Sequence, residues 1–284
     1  MLVGINLLCL SGFIEASHLE QLHQLKGLGY DGVEVPVLRG GPDHYAWLGR
    51  ELDRIGLRRT ATSVIPSVLA NPVSPDPGER AAGRAHLDWA LDCAIALGAE
   101  SLGGPIHAPI GHFTGAGPTP EEWRHGAAAH HALADRAARN GLYLSLEPLN
   151  RFETYFLNTM AQARDYLALV DHPALRIMYD TFHAHIEEQS QPRAIAAIGA
   201  HLGVLHVSEN DRGIPGRGQI DFAAVFASIR ATGFDGWVTV EAFGAGLPEL
   251  AAATRVWRPL FPDHATLFVE SERFIRQHWA AAAL

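Results

Sequence analysis

The chain has 284 residues, 48% of them apolar and 19% charged, with a formal net charge of −9. A single lysine, Lys26, stands beside 21 arginines and no basic run occurs, so composition gives nucleic-acid binding little support. No apolar run reaches the ~20 residues of a membrane span. Cys9 and Cys93 lie far apart among apolar residues and read as buried thiols in a reducing, cytoplasmic setting, not as a disulfide or a thiolate metal site.

Residues 2–8 (LVGINLL) open the chain. This apolar run is short and lacks a basic flank, which predicts a first strand and not a signal peptide. Ser17-His-Leu-Glu20 reads as a capping box for a helix ending at Gly27 or Gly29. Strands are expected at 32–37 (GVEVPV) and 58–64 (RRTATSV), then a helix from Arg84 to Leu97 with Leu87, Ala90, Leu91, Ala94 and Leu97 on one face. A glycine-containing strand at 101–105 follows, then a helix opened by Thr119-Pro-Glu-Glu122. The remaining strands fall at 142–147, 175–180, 203–207 and 236–241, with helices starting after Thr159 and Asp221 and a closing helix over 263–279. Short apolar strands alternating with amphipathic helices predict parallel βαβ units. Eight of them predict a single (β/α)8 TIM barrel spanning residues 1–284, in which the Pro- and Gly-rich connections 65–80 and 105–120 fall on the catalytic face.

Four residues end four of these runs: Glu147, Asp180, His206 and Glu241, at spacings of 33, 26 and 35 residues. A strand, a helix and two loops take roughly 30 residues, so each residue occupies the same place in successive units. In a parallel barrel the C-terminal strand ends meet on one face. Three carboxylates and an imidazole meeting there would suit a divalent ion such as Mn²⁺, Co²⁺ or Mg²⁺. Around them stand Glu153, His183 and Arg212, polar groups suited to a polyhydroxylated substrate. Candidate pocket residues are His107 and His112 in the fourth connection and Glu34 near the end of the second strand. Asn150 and Arg151 read as braces of the fifth connection, His185 as structural, Trp123 as packing, and His130-His131 as an exposed helix face. The turn from Gly213 to Gly218 either aims Arg212 inward or, through Arg217, holds a phosphate.

The runs SLEPLNRFETYFLNT (145–159), YDTFHAHIEE (179–188), HVSENDRGIPGRGQIDF (206–222) and VEAF (240–243) resemble the ketose 3-epimerases, a branch of the xylose-isomerase-like barrels. Residues 71–106 fit the same pattern, and the resemblance covers most of residues 60–243, whereas the first 60 match mainly through GYDGVEVP (29–36). It implies reversible C3 epimerisation of free ketohexoses or ketopentoses such as D-tagatose, D-fructose/D-allulose or L-ribulose. Glu147, Asp180, His206 and Glu241 would be the metal ligands, Glu147 and Glu241 also the acid–base pair, and Glu153, His183 and Arg212 the residues that hold the substrate. One divalent ion per subunit, most often Mn²⁺, and a homodimer or homotetramer complete the expectation. The barrel leaves other activities open: a sugar-phosphate epimerase, a hydroxypyruvate-type isomerase, an inosose-type dehydratase, a DNA-repair endonuclease, or a sugar-binding module.

Overall fold

A computed structural model describes residues 1–246 and 248–282, the side chains of residues 249 and 250 apart. Eight strands form one parallel sheet: β1 (Leu2–Ile5), β2 (Gly32–Pro36), β3 (Arg58–Thr62), β4 (Ser101–Gly104), β5 (Tyr143–Leu146), β6 (Leu175–Asp180), β7 (Leu202–Val207) and β8 (Trp237–Val240). Their order runs β1-β8-β7-β6-β5-β4-β3-β2, and β1 meets β2 through the single bridge Asn6–Glu34, which closes the ring. The strands are four to six residues long and nearly all buried. That is the condition of strands covered on both faces.

The barrel interior is packed solid at its lower end by Trp237 on β8. Its indole reaches across β1 to β2, because a Cβ at Gly4 or Gly32 would meet the ring at 3.2 or 2.5 Å. Met178 on β6 likewise takes the space left by Gly103 on β4. Glycine weakens a strand entropically, but here it makes room for large neighbours.

The outer helices are α1 (Leu19–Leu28), α2 (Pro42–Ile55), α3 (Pro77–Leu97), α4 (Pro120–Arg139), α5 (Met160–Val170), α6 (Thr181–Glu187), α7 (Gln191–Ile198), α8 (Phe222–Ala231), α9 (Pro248–Thr254) and α10 (His264–Ala281). Thr119 and Thr159 form capping boxes with Glu122 and Gln162, and Asp221 and Asp263 accept from backbone N–H groups of α8 and α10. At the first helix the expectation fails: Glu15 and His18 form the reciprocal pair around a preceding 3-10 turn, and Ser17 caps nothing. Helix α3 begins seven residues before Arg84, because Asp76 accepts from Gly78 and Glu79 N–H and Pro77 fits a first helical turn. His130 is wholly buried, its Nδ1 2.6 Å from Tyr166 Oη and its Nε2 3.2 Å from the Ile106 carbonyl. The alanine-rich helix α4 therefore turns inward a side chain expected at its surface. Cys9 and Cys93 are free and buried. Among the described residues no helix is long and apolar enough to cross a membrane.

Candidate metal centre and active site

Parallel pairing carries four strand ends to one rim. Glu147 follows β5, Asp180 ends β6, His206 lies one residue from the end of β7, and Glu241 follows β8. Asp180 and His206 are register partners. One donor atom from each of the four lies within 4.8 Å of all the others. His206 Nδ1 stands 3.3 Å from Glu241 Oε1 and 3.8 Å from both Glu147 Oε1 and Asp180 Oδ2. It is fully buried and makes no aligned hydrogen bond. An orphaned imidazole nitrogen facing three buried carboxylates fits a divalent cation held by oxygen and nitrogen. Without one, the cluster is balanced by Arg212 and by protons held on buried carboxylates.

Arg212 is the protein's own counter-charge. Its Nη1 donates to Glu241 Oε2 at 2.6 Å, Asp180 Oδ2 at 3.3 Å and Ser208 Oγ at 3.0 Å, while Nη2 lies 2.9 Å from His183 Nε2. The guanidinium lies 3.9 Å from the Phe182 ring centroid and 5.0 Å from that of Phe243. Its backbone is left-handed, with φ 67°, a strained setting for a long side chain. A tight turn follows it. Glu209, buried and absent from the expectations above, accepts from the N–H groups of Asn210, Gly216, Gln219 and Ile220. Arg217 pairs with Glu270 at the surface, so the turn serves to aim Arg212 inward, and phosphate has no built cradle there.

His183, in the first turn of α6, is placed by Asp180, which caps that helix through the His183 N–H at 2.9 Å. The side-chain amide of Asn150 lies 2.9 Å from His183 Nδ1 and donates to Glu153 Oε1 at 2.8 Å. Arg151 pairs with Glu187 at 2.9 Å. Asn150 and Arg151 thus brace the fifth connection, and Asn150 does more, joining two of the polar groups expected around the metal.

Burial dominates the titration of the cluster. It raises Glu147 well above the usual carboxylate range, with Glu241 adding repulsion. It raises Asp180 to about 7, against Arg212. At Glu241 burial is outweighed by His206 and Arg212, and the group is depressed. Burial opposes charge on His206, but Glu34 and Glu241 overcome it and raise that imidazole. His183 is held neutral by burial and by Arg212.

Above the four lies a cavity of about 610 Å³, within the size range of small-molecule sites. Glu147, Glu153 and Glu241 open into it; Asp180 and His206 do not line it. Its outer wall is apolar, with Leu8, Ile65, Val68 and Ile110 among the contributors. The long connections 65–80 and 105–120 supply much of that wall, as expected of loops on this face. His112 lines the cavity. His107 does not: it is buried beneath, its Nε2 3.0 Å from the Glu147 carbonyl. Glu34 does not line it either. It lies behind His206, with Oε1 2.9 Å from Nε2. Asn6, which donates to both Glu34 and Glu241, was not expected. A lone asparagine in an apolar run carries no sequence signal for such a role.

This fold with this rim defines a class: the chain belongs to the xylose isomerase-like TIM barrel family, whose model matches residues 22–260. Within that class it belongs to the ketose 3-epimerases, isomerase-class enzymes. It is 34% identical to the L-ribulose 3-epimerase of Methylomonas sp. strain DH-1 over 88% of each chain. It superposes on a solved L-ribulose 3-epimerase with a TM-score of 0.93 at 28% identity, covering 99% of this chain and 95% of the other. A D-allulose 3-epimerase from Methylomonas sp., solved in complex with D-allulose, gives 0.91 at 31% identity, over 98% of this chain and 97% of that one.

Proposed function

We propose that this enzyme, acting as one catalytic domain over residues 1–284, interconverts the C3 epimers of free ketoses, with Glu147 and Glu241 as its acid–base pair. One observation carries the reading. Of the four clustered residues, only Glu147 and Glu241 open into the cavity, while Asp180 and His206 lie sealed beneath. Two carboxylates can therefore touch a substrate, and two residues serve the metal alone. The four together hold one divalent ion, Mn²⁺ in first place with Co²⁺ and Mg²⁺ as alternatives. When bound, such an ion would supply Lewis-acid polarisation of the ketose carbonyl.

The C3 proton is poorly acidic and lies next to the carbonyl. One glutamate removes it; the other returns a proton to the opposite face, giving the epimer through an enediolate. Two-base inversion needs opposite protonation states at the start. Their surroundings differ in the same sense: Glu241 receives bonds from Arg212 and Asn6, which hold it charged, whereas no such donor bonds the Glu147 carboxylate among the described residues. We assign the O1–O3 end of the substrate to Glu153, Arg212 and His183: Glu153 lines this cavity, Arg212 lines a neighbouring one together with Glu153, and His183 contacts Arg212. The substrate class is supported by the relatives, among them the D-allulose complex. Buried free thiols support a cytoplasmic location. The exposed Phe152 and Trp257 beside the site mouth support assembly into a homodimer or homotetramer.

The test is a panel of fructose/allulose, tagatose/sorbose and ribulose/xylulose with the Mn²⁺-loaded enzyme in D₂O. Turnover should place solvent deuterium at C3, and Glu147→Gln and Glu241→Gln should each lower kcat by about 10²–10⁴. No interconversion of any pair, or turnover preserved in either variant, refutes the assignment. Ribulose 5-phosphate, hydroxypyruvate and an inosose assayed alongside separate the other activities of this barrel.

A further inference from the structure

We propose that Glu34 and Asn6 are positioning residues for the metal centre: Glu34 fixes His206 with Nδ1 toward the carboxylates, and Asn6 couples Glu34 to Glu241. The inference rests on the reading that Glu147, Asp180, His206 and Glu241 hold a divalent ion.

Glu34 is wholly buried and lines no cavity that a substrate enters. A carboxylate in that position needs a cationic or donor partner. Among the described residues its one ion-pair partner is His206, whose Nε2 lies 2.9 Å from Oε1, a close charge contact without an aligned hydrogen bond. Thr60 Oγ1 donates to the other oxygen at 3.3 Å. A neutral imidazole carries its proton on one nitrogen and its lone pair on the other. With a cation at Nδ1 the ring would be neutral, and the Glu34 carboxylate favours the remaining proton on Nε2, leaving the lone pair on Nδ1, the nitrogen that faces Glu147, Asp180 and Glu241. The same contact makes the ring a stronger donor.

Asn6 has its amide orientation settled by its neighbours. Its Oδ1 accepts from Leu8 N–H at 2.9 Å, so the Nδ2 hydrogens must point the other way. They donate to Glu34 Oε1 at 2.9 Å and Glu241 Oε1 at 3.1 Å, using both hydrogens. Asn6 and Glu34 also form the bridge by which β1 and β2 close the barrel. The seam of the barrel and the orientation of two of the four metal-facing side chains are one contact network.

The experiment titrates metal-stripped protein with Co²⁺, read by calorimetry and by the visible absorption of the bound ion. Glu34→Gln, Glu34→Ala and Asn6→Ala should each bind Co²⁺ about 10–100-fold more weakly than wild type, with altered absorption bands. A role confined to barrel closure would lower the Tm of the stripped protein and leave affinity and bands alone. Folded variants with wild-type affinity and spectrum overturn the proposal. Should Glu34→Ala not fold, the isosteric Glu34→Gln and Asn6→Ala decide it. A wild type that binds no Co²⁺ removes the metal reading and this inference together. Weakened binding in the variants of a protein that epimerises no ketose sustains the inference and rejects the substrate assignment alone.

Discussion

Glu209 is a sharp test of how the site is built, because it touches neither the metal-facing donors nor the cavity. Its Oε1 accepts from Asn210, Gln219 and Ile220 N–H at 2.9, 3.1 and 3.2 Å, and its Oε2 from Gly216 N–H at 2.9 Å. Glu209→Gln keeps the shape but removes the charge and one acceptor. Whichever way the amide turns, its NH₂ faces at least one backbone N–H. In the milder orientation the bond from the part-buried Gly216 N–H is lost, at about 1 kcal/mol, and the three others fall from charge-assisted to neutral strength, at roughly 0.7 kcal/mol each. A total of about 3 kcal/mol follows, and at roughly 2–4 °C per kcal/mol the Tm should drop by about 6–12 °C. Arg212 sits inside this turn at a left-handed φ, so loosening the turn should displace the guanidinium that contacts Glu241, Asp180 and His183. We expect kcat/KM to fall at least about tenfold, since misplacement by ~1 Å is costly in catalysis. Differential scanning calorimetry and steady-state kinetics on a ketose measure both. A variant within about 1 °C and twofold of wild type would show that Arg212 is held by its side-chain partners alone.

Metal affinity should rise with pH through about 7. Asp180 is raised to about 7 and Glu147 well above the carboxylate range, so an entering cation displaces protons below that pH. Calorimetry at pH 6 in buffers of different ionisation enthalpy should detect proton release, and buffer-independent heats would refute it. Without metal the sign reverses for stability. Raised Asp180 and His206 bind protons more tightly folded than unfolded, so their contribution is complete at low pH and lost as pH rises through their folded values. Depressed Glu241 contributes in full above the unfolded carboxylate range. The Tm of stripped protein should therefore fall from pH 5 to 8 while the increment on adding Mn²⁺ grows. Gly216→Ala should destabilise by about 1–3 kcal/mol, because φ is 86° there and a Cβ would run into the Phe274 ring. Chemical denaturation of the variant checks this, and an unchanged midpoint would show that α10 gives way freely.

Much of the molecule is legible in the chain because its signals are local or periodic. Alternating apolar strands and amphipathic helices specify the barrel, and Thr119, Thr159, Asp221 and Asp263 mark helix starts through bonds made within four residues. Glu147, Asp180, His206 and Glu241 can be found from spacing, since parallel topology brings successive strand ends to one rim. What escapes depends on neighbours far away in sequence. Asn6 acts on Glu241 across 235 positions, and Glu34 reaches the back of His206 in place of the cavity. His107 and His112 sit five residues apart in one connection, yet one is sealed under β5 and the other opens to the cavity. His130 is turned inward by a tyrosine on a different helix. The sequence by itself determined which residues end the strands and hence which donors gather. Only the closed barrel decided which of them face a substrate and which stand behind them, because radial depth is set by long-range packing that no local pattern encodes.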